Sequence, residues 1–269
     1  MEEWLSTNEV AKRLGVGGTS VKRWAQQGIL RCHHTAGGHR RFSVEHVERF
    51  LRDKSDSREG LNPEIDAWVE LLISNDSVHR VHERLLVTRS KYSSWCEVVD
   101  LELGPVVGEI GSRWSAGNLT IAQEHVASAK LFRALGLCAA NLPGSASRVC
   151  LLATAASDVH TLGLSFFEVC VREQGFQTRW LGERMPTSEL VRVINFSESH
   201  VVGMSASAYS DDADTLASEV FQVLSACRSK GIPLLLGGAG AWPNSVPGAT
   251  RLNTLSDLNV ALERYFPGR

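Results

Sequence analysis

The stretch RVCLLATAASDVHTLG, residues 148–163, decides how the second half of this chain is read. A short apolar run gives way to a polar turn in which Asp158 stands two residues before His160 and Gly163 three after it. From Arg148 onward, apolar runs of the same kind (RVCLLAT, QTRWLG, HVVGMSAS, IPLLLGG) alternate with amphipathic stretches near 161–174, 187–196, 212–230 and 255–265. That alternation predicts a parallel sheet with helices on both faces, a Rossmann-like (flavodoxin-like) domain over 147–269. Ligands bind such sheets at the carboxyl ends of the strands. The segments predicted there are SDVHTLG, SASAYS and GGAG, whose Ser and Gly let a ligand approach the backbone and offer it hydroxyl partners.

An imidazole on such a loop, with a carboxylate two residues earlier to hold its other ring nitrogen, has the make-up of a metal ligand with its supporting hydrogen bond. One histidine binds a bare ion poorly. It suits a metal whose other positions are already filled, as in a corrin or porphyrin ring. The sequence holds no carboxylate pair, no Ser-His-Asp order and no G-x-x-x-x-G-K-[ST] loop, so hydrolase and nucleotide-triphosphate readings lack their residues.

Asp158-x-His160-x-x-Gly163, followed after 41 residues by Ser205-x-Ser207 and then Gly237-Gly238, resembles the cobalamin-binding module of methionine synthase and the mutases. The resemblance implies that His160 is the lower ligand of cobalt and that Asp158 orients it. It also implies that the nucleotide tail enters a pocket lined by Gly163, Ser205, Ser207, Gly237 and Gly238. The third position of the serine motif is more often leucine in that family, and Ser207 departs from it.

The whole chain sets limits on the rest. At 269 residues, 43% hydrophobic and 22% charged, it has the composition of a globular protein of two or three domains. No apolar run approaches a membrane span, and the N-terminus MEEWLSTNEV lacks a signal-peptide pattern, so no membrane partner and a cytoplasmic location are expected. Cysteines 32, 96, 138, 150, 170 and 227 are scattered singly, which suits reduced, buried thiols. The net charge of −2 is unevenly spread: residues 1–52 hold nine Lys or Arg against five Glu. A surface that seeks nucleic acid is therefore expected at the front.

There, STNEVAKRLGV pairs Ser6 with Glu9 at capping-box spacing and predicts a helix that ends near Gly15. After VGG, TSVKRWAQQG predicts a second helix capped by Thr19 or Ser20 and stopped at Gly28. In a helix-turn-helix the second helix enters the major groove, where Lys22 and Arg23 would reach phosphates or base edges. AGGH then reads as a hairpin carrying His39, Arg40 and Arg41, and a further helix follows. The order helix, turn, helix, basic Gly-Gly hairpin, helix resembles the winged-helix DNA-binding domain of MerR-type regulators, over residues 1–54. That resemblance implies double-stranded operator DNA as the partner. Cys32, His33 and His34 are read as exposed wing residues rather than a metal site. RDKSDSREGLNP, residues 52–63, has linker composition, with the linker set at 55–63.

Residues 64–144 carry four helix-periodic segments, which suggests a four-helix bundle with Pro105 breaking or kinking the third. In the fourth, Thr120 and Gln123 have capping-box spacing, and Ile121, Glu124 and His125 fall on one side. With Trp114 before them, they resemble the tryptophan and Glu-His pair of the CarH and LitR group of light-dependent repressors, in the same domain order. The resemblance implies that Trp114 and Ile121 surround the upper, adenosyl group of adenosylcobalamin and that Glu124 and His125 contact its polar atoms. It further implies a homodimer or homotetramer that holds DNA in the dark and lets go in light. In that group a histidine follows the tryptophan and captures cobalt after photolysis; here Ser115 stands in its place. The departure leaves open a light-independent cobalamin sensor, or another tetrapyrrole such as a bilin. A methyltransferase or mutase would need a barrel or an activation domain for which three modules leave no room, so a regulator and not an enzyme is expected.

Overall fold

The computed structural model describes residues 4–14, 21, 24–25, 30–35, 39–56, 62–243 and 245–266. The chain divides into two units, Met1–Asn75 with Pro105–Ala127 and Asp76–Gly104 with Ser128–Arg269. Among the described residues, no helix is long and apolar enough to cross a membrane.

In the first unit, β1 (Trp4–Ser6) leads into α1 (Thr7–Leu14). The capping box forms as its spacing predicts: the Ser6 N–H donates to Glu9 Oε2 at 2.7 Å and the Glu9 N–H to Ser6 Oγ at 3.3 Å. β2 (His33–His34) and β3 (Arg40–Ser43) form the hairpin, and β1 joins it to give a three-stranded sheet ordered β1-β3-β2. Sequence reasoning missed β1, which is too short to show a period of two. α2 (Val44–Asp56) follows directly. Val10, Val21, Trp24, Leu30, Phe42 and Val47 form the core beneath. α3 (Pro63–Ile73) starts with Asn62 as cap and Pro63 at the first helical position, where its missing N–H costs nothing.

The second unit begins with α4 (Val78–Arg89) and α5 (Trp95–Val98). Pro105 does not break the helix that follows. The chain passes through a π-helical turn, Val99–Leu103, and continues as α6 (Gly104–Ser115). Proline lacks an N–H, and its ring crowds the carbonyl four residues back. The wider turn absorbs both problems, with the Gly104 N–H bonding to Val99 O five residues earlier. α7 (Ile121–Ala140) is shared between the units, as are the helices of the 64–144 region: α3 and most of α6 lie in the first, α4 and α5 in the second.

The rest of the second unit is β4 (Ser145–Thr154), α8 (Leu162–Glu173), β5 (Phe176–Gly182), α9 (Thr187–Phe196), β6 (Val201–Ser205), α10 (Ala213–Lys230), β7 (Leu234–Gly237), β8 (Ala249–Arg251) and α11 (Asp257–Tyr265). The sheet is wholly parallel with order β5-β4-β6-β7-β8, the doubly wound order whose direction reverses between β4 and β6. Successive residues of a strand point to opposite faces. Leu151 and Ala153 accordingly join Leu190, Ile194, Val220 and Val223 of α9 and α10 in one core cluster. α4 and α5 are tied to α8 through Glu173, which accepts from Arg89 at 2.6 Å and from the Trp95 N–H at 2.8 Å.

Glu219 of α10 is buried, 6% exposed, and accepts from the Ala156 N–H at 3.0 Å. Burial pushes its carboxyl above the ordinary 4.5 and the single N–H only partly offsets this. A raised folded-state value means that the protonated form is the stabilising one. Its contribution is complete below about 4.5 and is lost as pH rises through the raised value. Glu219→Gln keeps an acceptor without the charge. Thermal unfolding should show it as stable as the parent at pH 4 and more stable at pH 7.

Candidate functional site

The site is built where β4 and β6 end, at the point where the strand order reverses. β4 stops at Thr154, whose hydroxyl donates to Asp158 O at 2.8 Å and accepts from the Arg184 N–H at 3.0 Å. The Asp158 N–H turns back to Ala155 O at 2.9 Å. These bonds close a tight loop that carries the Asp158 side chain inward and the His160 ring outward.

Asp158 is 2% exposed, yet five donors serve its carboxylate. Oδ1 accepts from the His160 N–H and from His160 Nδ1, each at 2.8 Å, and from Ser207 Oγ at 3.2 Å. Oδ2 accepts from Ser210 Oγ at 3.0 Å and from the Ser207 N–H. Burial alone would raise this carboxyl; the donors from Ser207 and His160 outweigh it and hold the group below the usual carboxylate value. An ionised Asp158 keeps the proton on His160 Nδ1 and leaves the Nε2 lone pair available, the arrangement that metal-ligating histidines use. The His160 side chain is 48% exposed. Among the described residues there is no group of three or more His, Cys, Asp or Glu that could hold a metal ion.

Beside this loop the strand ends leave a crevice lined by Gly163, Phe167, Gly203, Ser205, Gly237 and Gly238. The glycines are there for proximity. A Cβ on Gly163 would lie 2.9 Å from Ser205 Oγ, and one on Gly203 would lie 2.6 Å from Phe167 Cε1. Gly238 has φ +82°, and a Cβ there would sit 2.2 Å from Ala206 O. The crevice is narrow, about 30 Å³, and the buried Phe167 ring lies across Gly203. A larger cavity of about 170 Å³, lined by Ser199, His200 and Lys230 among others, lies at the amino ends of β6 and β7, away from the ends at which such sheets bind ligands.

The sequence-predicted residues Asp158, His160, Gly163, Ser205, Ser207, Gly237 and Gly238 thus come together at one edge of the sheet. Sequence reasoning missed Phe167, Gly203, Tyr209 and Ser210. SASAYS contains the last two in plain view, but nothing local says that Ser210 reaches back to Asp158 or that Tyr209 stacks on His160, with ring centroids 4.8 Å apart and planes 15° apart.

In the first unit, Trp114 is half-buried on the last turn of α6 and Ser115 is buried. Arg113 anchors that turn by donating to Asp66 and, at 2.8 Å, to Glu109. The Arg113 carbonyl accepts the Asn118 N–H at 2.8 Å, reversing the chain through Gly117. Thr120 and Gln123 then form the predicted capping box, with N–H bonds of 2.9 and 3.2 Å, and α7 begins at Ile121. Ile121 is 62% exposed, and Glu124 Oε2 lies 3.5 Å from His125 Nε2. A bare isoleucine beside an acid–imidazole pair gives this face one apolar and two polar partners for a ligand.

In the hairpin, the Thr35 N–H donates to His39 O at 2.9 Å and the His39 N–H to Thr35 Oγ1 at 3.2 Å, while Arg41 pairs with His33 and Arg40 with His34 in the ladder. His39 and Arg41 are exposed and Arg40 is partly so, which leaves the basic row open to solvent. Thr19, Ser20, Lys22 and Arg23, assigned to the second helix, lie outside the described residues, as do Gly37 and Gly38.

Comparison with known proteins agrees with this layout. Residues 4–55 match the model of a helix-turn-helix domain family. The HTH-type transcriptional repressor CarH of Myxococcus xanthus is 24% identical over 272 residues, covering 87% of this chain and 88% of that protein. The monomethylamine corrinoid protein of Methanosarcina barkeri superposes with a TM-score of 0.54 at 15% identity, covering 77% of this chain and 99% of that one. The chain is thus similar over most of its length to the HTH-type transcriptional repressor CarH, matches a helix-turn-helix domain family over residues 4–55, and shares the fold of a corrinoid protein over its helices and Rossmann-like domain.

Proposed function

We propose that this protein is a DNA-binding regulator that holds adenosylcobalamin and releases operator DNA in response to light. The observation that carries the reading is His160, with Nδ1 fixed by the buried Asp158 and Nε2 left outward at the carboxyl edge of a parallel sheet. A corrinoid fits this edge better than a bilin, which brings no metal for the imidazole. His160 would hold the cobalt, and the glycine-lined crevice beside Gly163, Ser205 and Gly238 would take the nucleotide tail. Trp114, Ile121, Glu124 and His125 would hold the upper group.

When bound, the cofactor supplies a cobalt–carbon bond that visible light cleaves. The chain's own residues do the rest. Asp158 holds Nδ1 so that Nε2 is the nitrogen offered to the metal, Trp114 and Ile121 would shield the upper group from water, and Glu124 and His125 would bind its polar atoms. His39, Arg40 and Arg41, with Thr19, Ser20, Lys22 and Arg23, would meet the operator. DNA affinity would rest on an oligomer, a homodimer or homotetramer, in which several wings bind at once. Light can act only by changing the relative stability of two assemblies. The proposed limits are 1–54 for the DNA-binding domain, 64–144 for the helical segment and 147–269 for the cofactor domain.

Ser115 favours a second reading, a light-independent corrinoid sensor, because a buried hydroxyl cannot take the place of a ligating histidine. Size-exclusion elution of the full chain loaded with adenosylcobalamin in the dark, repeated after green light, separates the two. The photoreceptor reading expects a smaller assembly after light. Unchanged assembly with the cofactor bound favours the sensor, and no binding at all would remove both.

A further inference from the structure

We propose that Tyr209 and Ser207 are positioning residues that hold the His160 imidazole in its ligating orientation before any corrinoid arrives. The inference rests on the reading of His160 as axial ligand and adds what aims it. An imidazole on a loop has two soft torsions. Asp158 Oδ1, 2.8 Å from Nδ1, and Ser207 Oγ, 3.1 Å from Nδ1, decide which edge of the ring points inward. Hydrogen bonds to one nitrogen still let the plane tilt about that point. The Tyr209 ring removes this freedom by lying nearly parallel on one face of the imidazole, at 4.8 Å and 15°.

Tyr209 is 55% exposed, a large aromatic at the surface whose ring stacks on His160. The turn that carries it is rigidly tied: the Tyr209 N–H donates to Ser207 Oγ at 3.3 Å, the Ser210 N–H to Ser207 O at 2.9 Å, and the Ala241 N–H to Ser210 O at 3.0 Å. The segment after β6 therefore aims a ligand carried by the segment after β4. A leucine at position 207 would offer no second partner to Nδ1, so the serine is a working part of this chain's site and not a neutral departure.

The test uses the full chain with isotope-labelled histidine, the His160 ring signals being assigned by their loss in His160→Ala. Without corrinoid, the wild type and Tyr209→Phe should show His160 ring protons shifted by the neighbouring aromatic face, and Tyr209→Leu should lose that shift. Aquocobalamin is then titrated into the same three proteins. Tyr209→Leu should bind about fivefold more weakly, the size of a lost aromatic stack, with Tyr209→Phe restoring affinity to within about twofold of the wild type. Identical ring shifts in all three proteins, or identical affinities, would overturn the proposal. Should His160→Ala bind aquocobalamin as the wild type does, with the same spectrum, the axial-ligand reading has failed and the positioning role falls with it. The ring shifts would then record only a surface stack.

Discussion

Asp158→Ala is expected to destabilise the sheet-containing unit by about 3 kcal/mol and to lower its unfolding temperature by about 10 °C. The side chain is almost wholly buried and takes five hydrogen bonds, so its removal strands the Ser207 N–H and the Ser210 hydroxyl in a place water does not reach. It also frees the His160 ring, so cofactor affinity should fall together with stability. Asp158→Asn separates the two effects. It keeps the volume and one acceptor oxygen, but its amide would donate to Nδ1 and move the imidazole proton to Nε2. Thermal unfolding and cobalamin titration of both variants should show a large stability loss only in Asp158→Ala and weakened ligation in both. Full-strength ligation in Asp158→Asn would mean that the carboxylate does not set the tautomer.

Gly238→Ala is the second large effect. Its φ of +82° already disfavours any L side chain, and the added carbon would lie 2.2 Å from Ala206 O. The neighbour is backbone, held by the Ala206 N–H on Gly237 O at 3.2 Å and by the Gly240 N–H on Ala206 O at 2.8 Å, so it cannot step aside cheaply. A cost of about 3 kcal/mol is expected, with the turn carrying Ser207 and Ser210 displaced. Gly237→Ala is the control: its nearest neighbour would be Met204 O at 3.9 Å, an ordinary contact. It should unfold close to the parent temperature and show its effect only in cofactor binding, because it lines the crevice. Equal unfolding temperatures for the two alanine variants would refute the backbone argument.

Much of this site was legible because its parts are local. Asp158 and His160 sit two residues apart, and their bond follows from that spacing and from the strand end before them. The capping boxes at Ser6 and Thr120 and the shared face of Ile121, Glu124 and His125 were likewise set by spacing within one turn of helix. What escaped depends on which strand neighbours which. The motif placed Ser207 at the site, but its bonds to Asp158, and the part played by Ser210, span 49 and 52 residues, and only the β4–β6 pairing brings those groups together. Phe167 lies on Gly203 for the same reason, one from a helix and the other from a strand. β1 and β8, three residues each, are too short for periodicity to register. Pro105 predicts a break or a kink because proline costs a helical bond, and the local distortion takes the form of the π turn at Val99–Leu103. That a π turn would absorb it is decided by packing on either side. Periodicity also assigns a helix an apolar face without naming what covers it, which is why the division of the 64–144 helices between two units could not be read from the sequence.

The central claim is that this chain holds a corrinoid through His160. The most direct measurement is the absorption spectrum during titration with adenosylcobalamin in the dark, for the wild type and His160→Ala side by side. The wild type should give a bound spectrum with imidazole on cobalt, and His160→Ala either weakened binding or a spectrum without that ligand. The same bound spectrum at the same affinity in both proteins would contradict it.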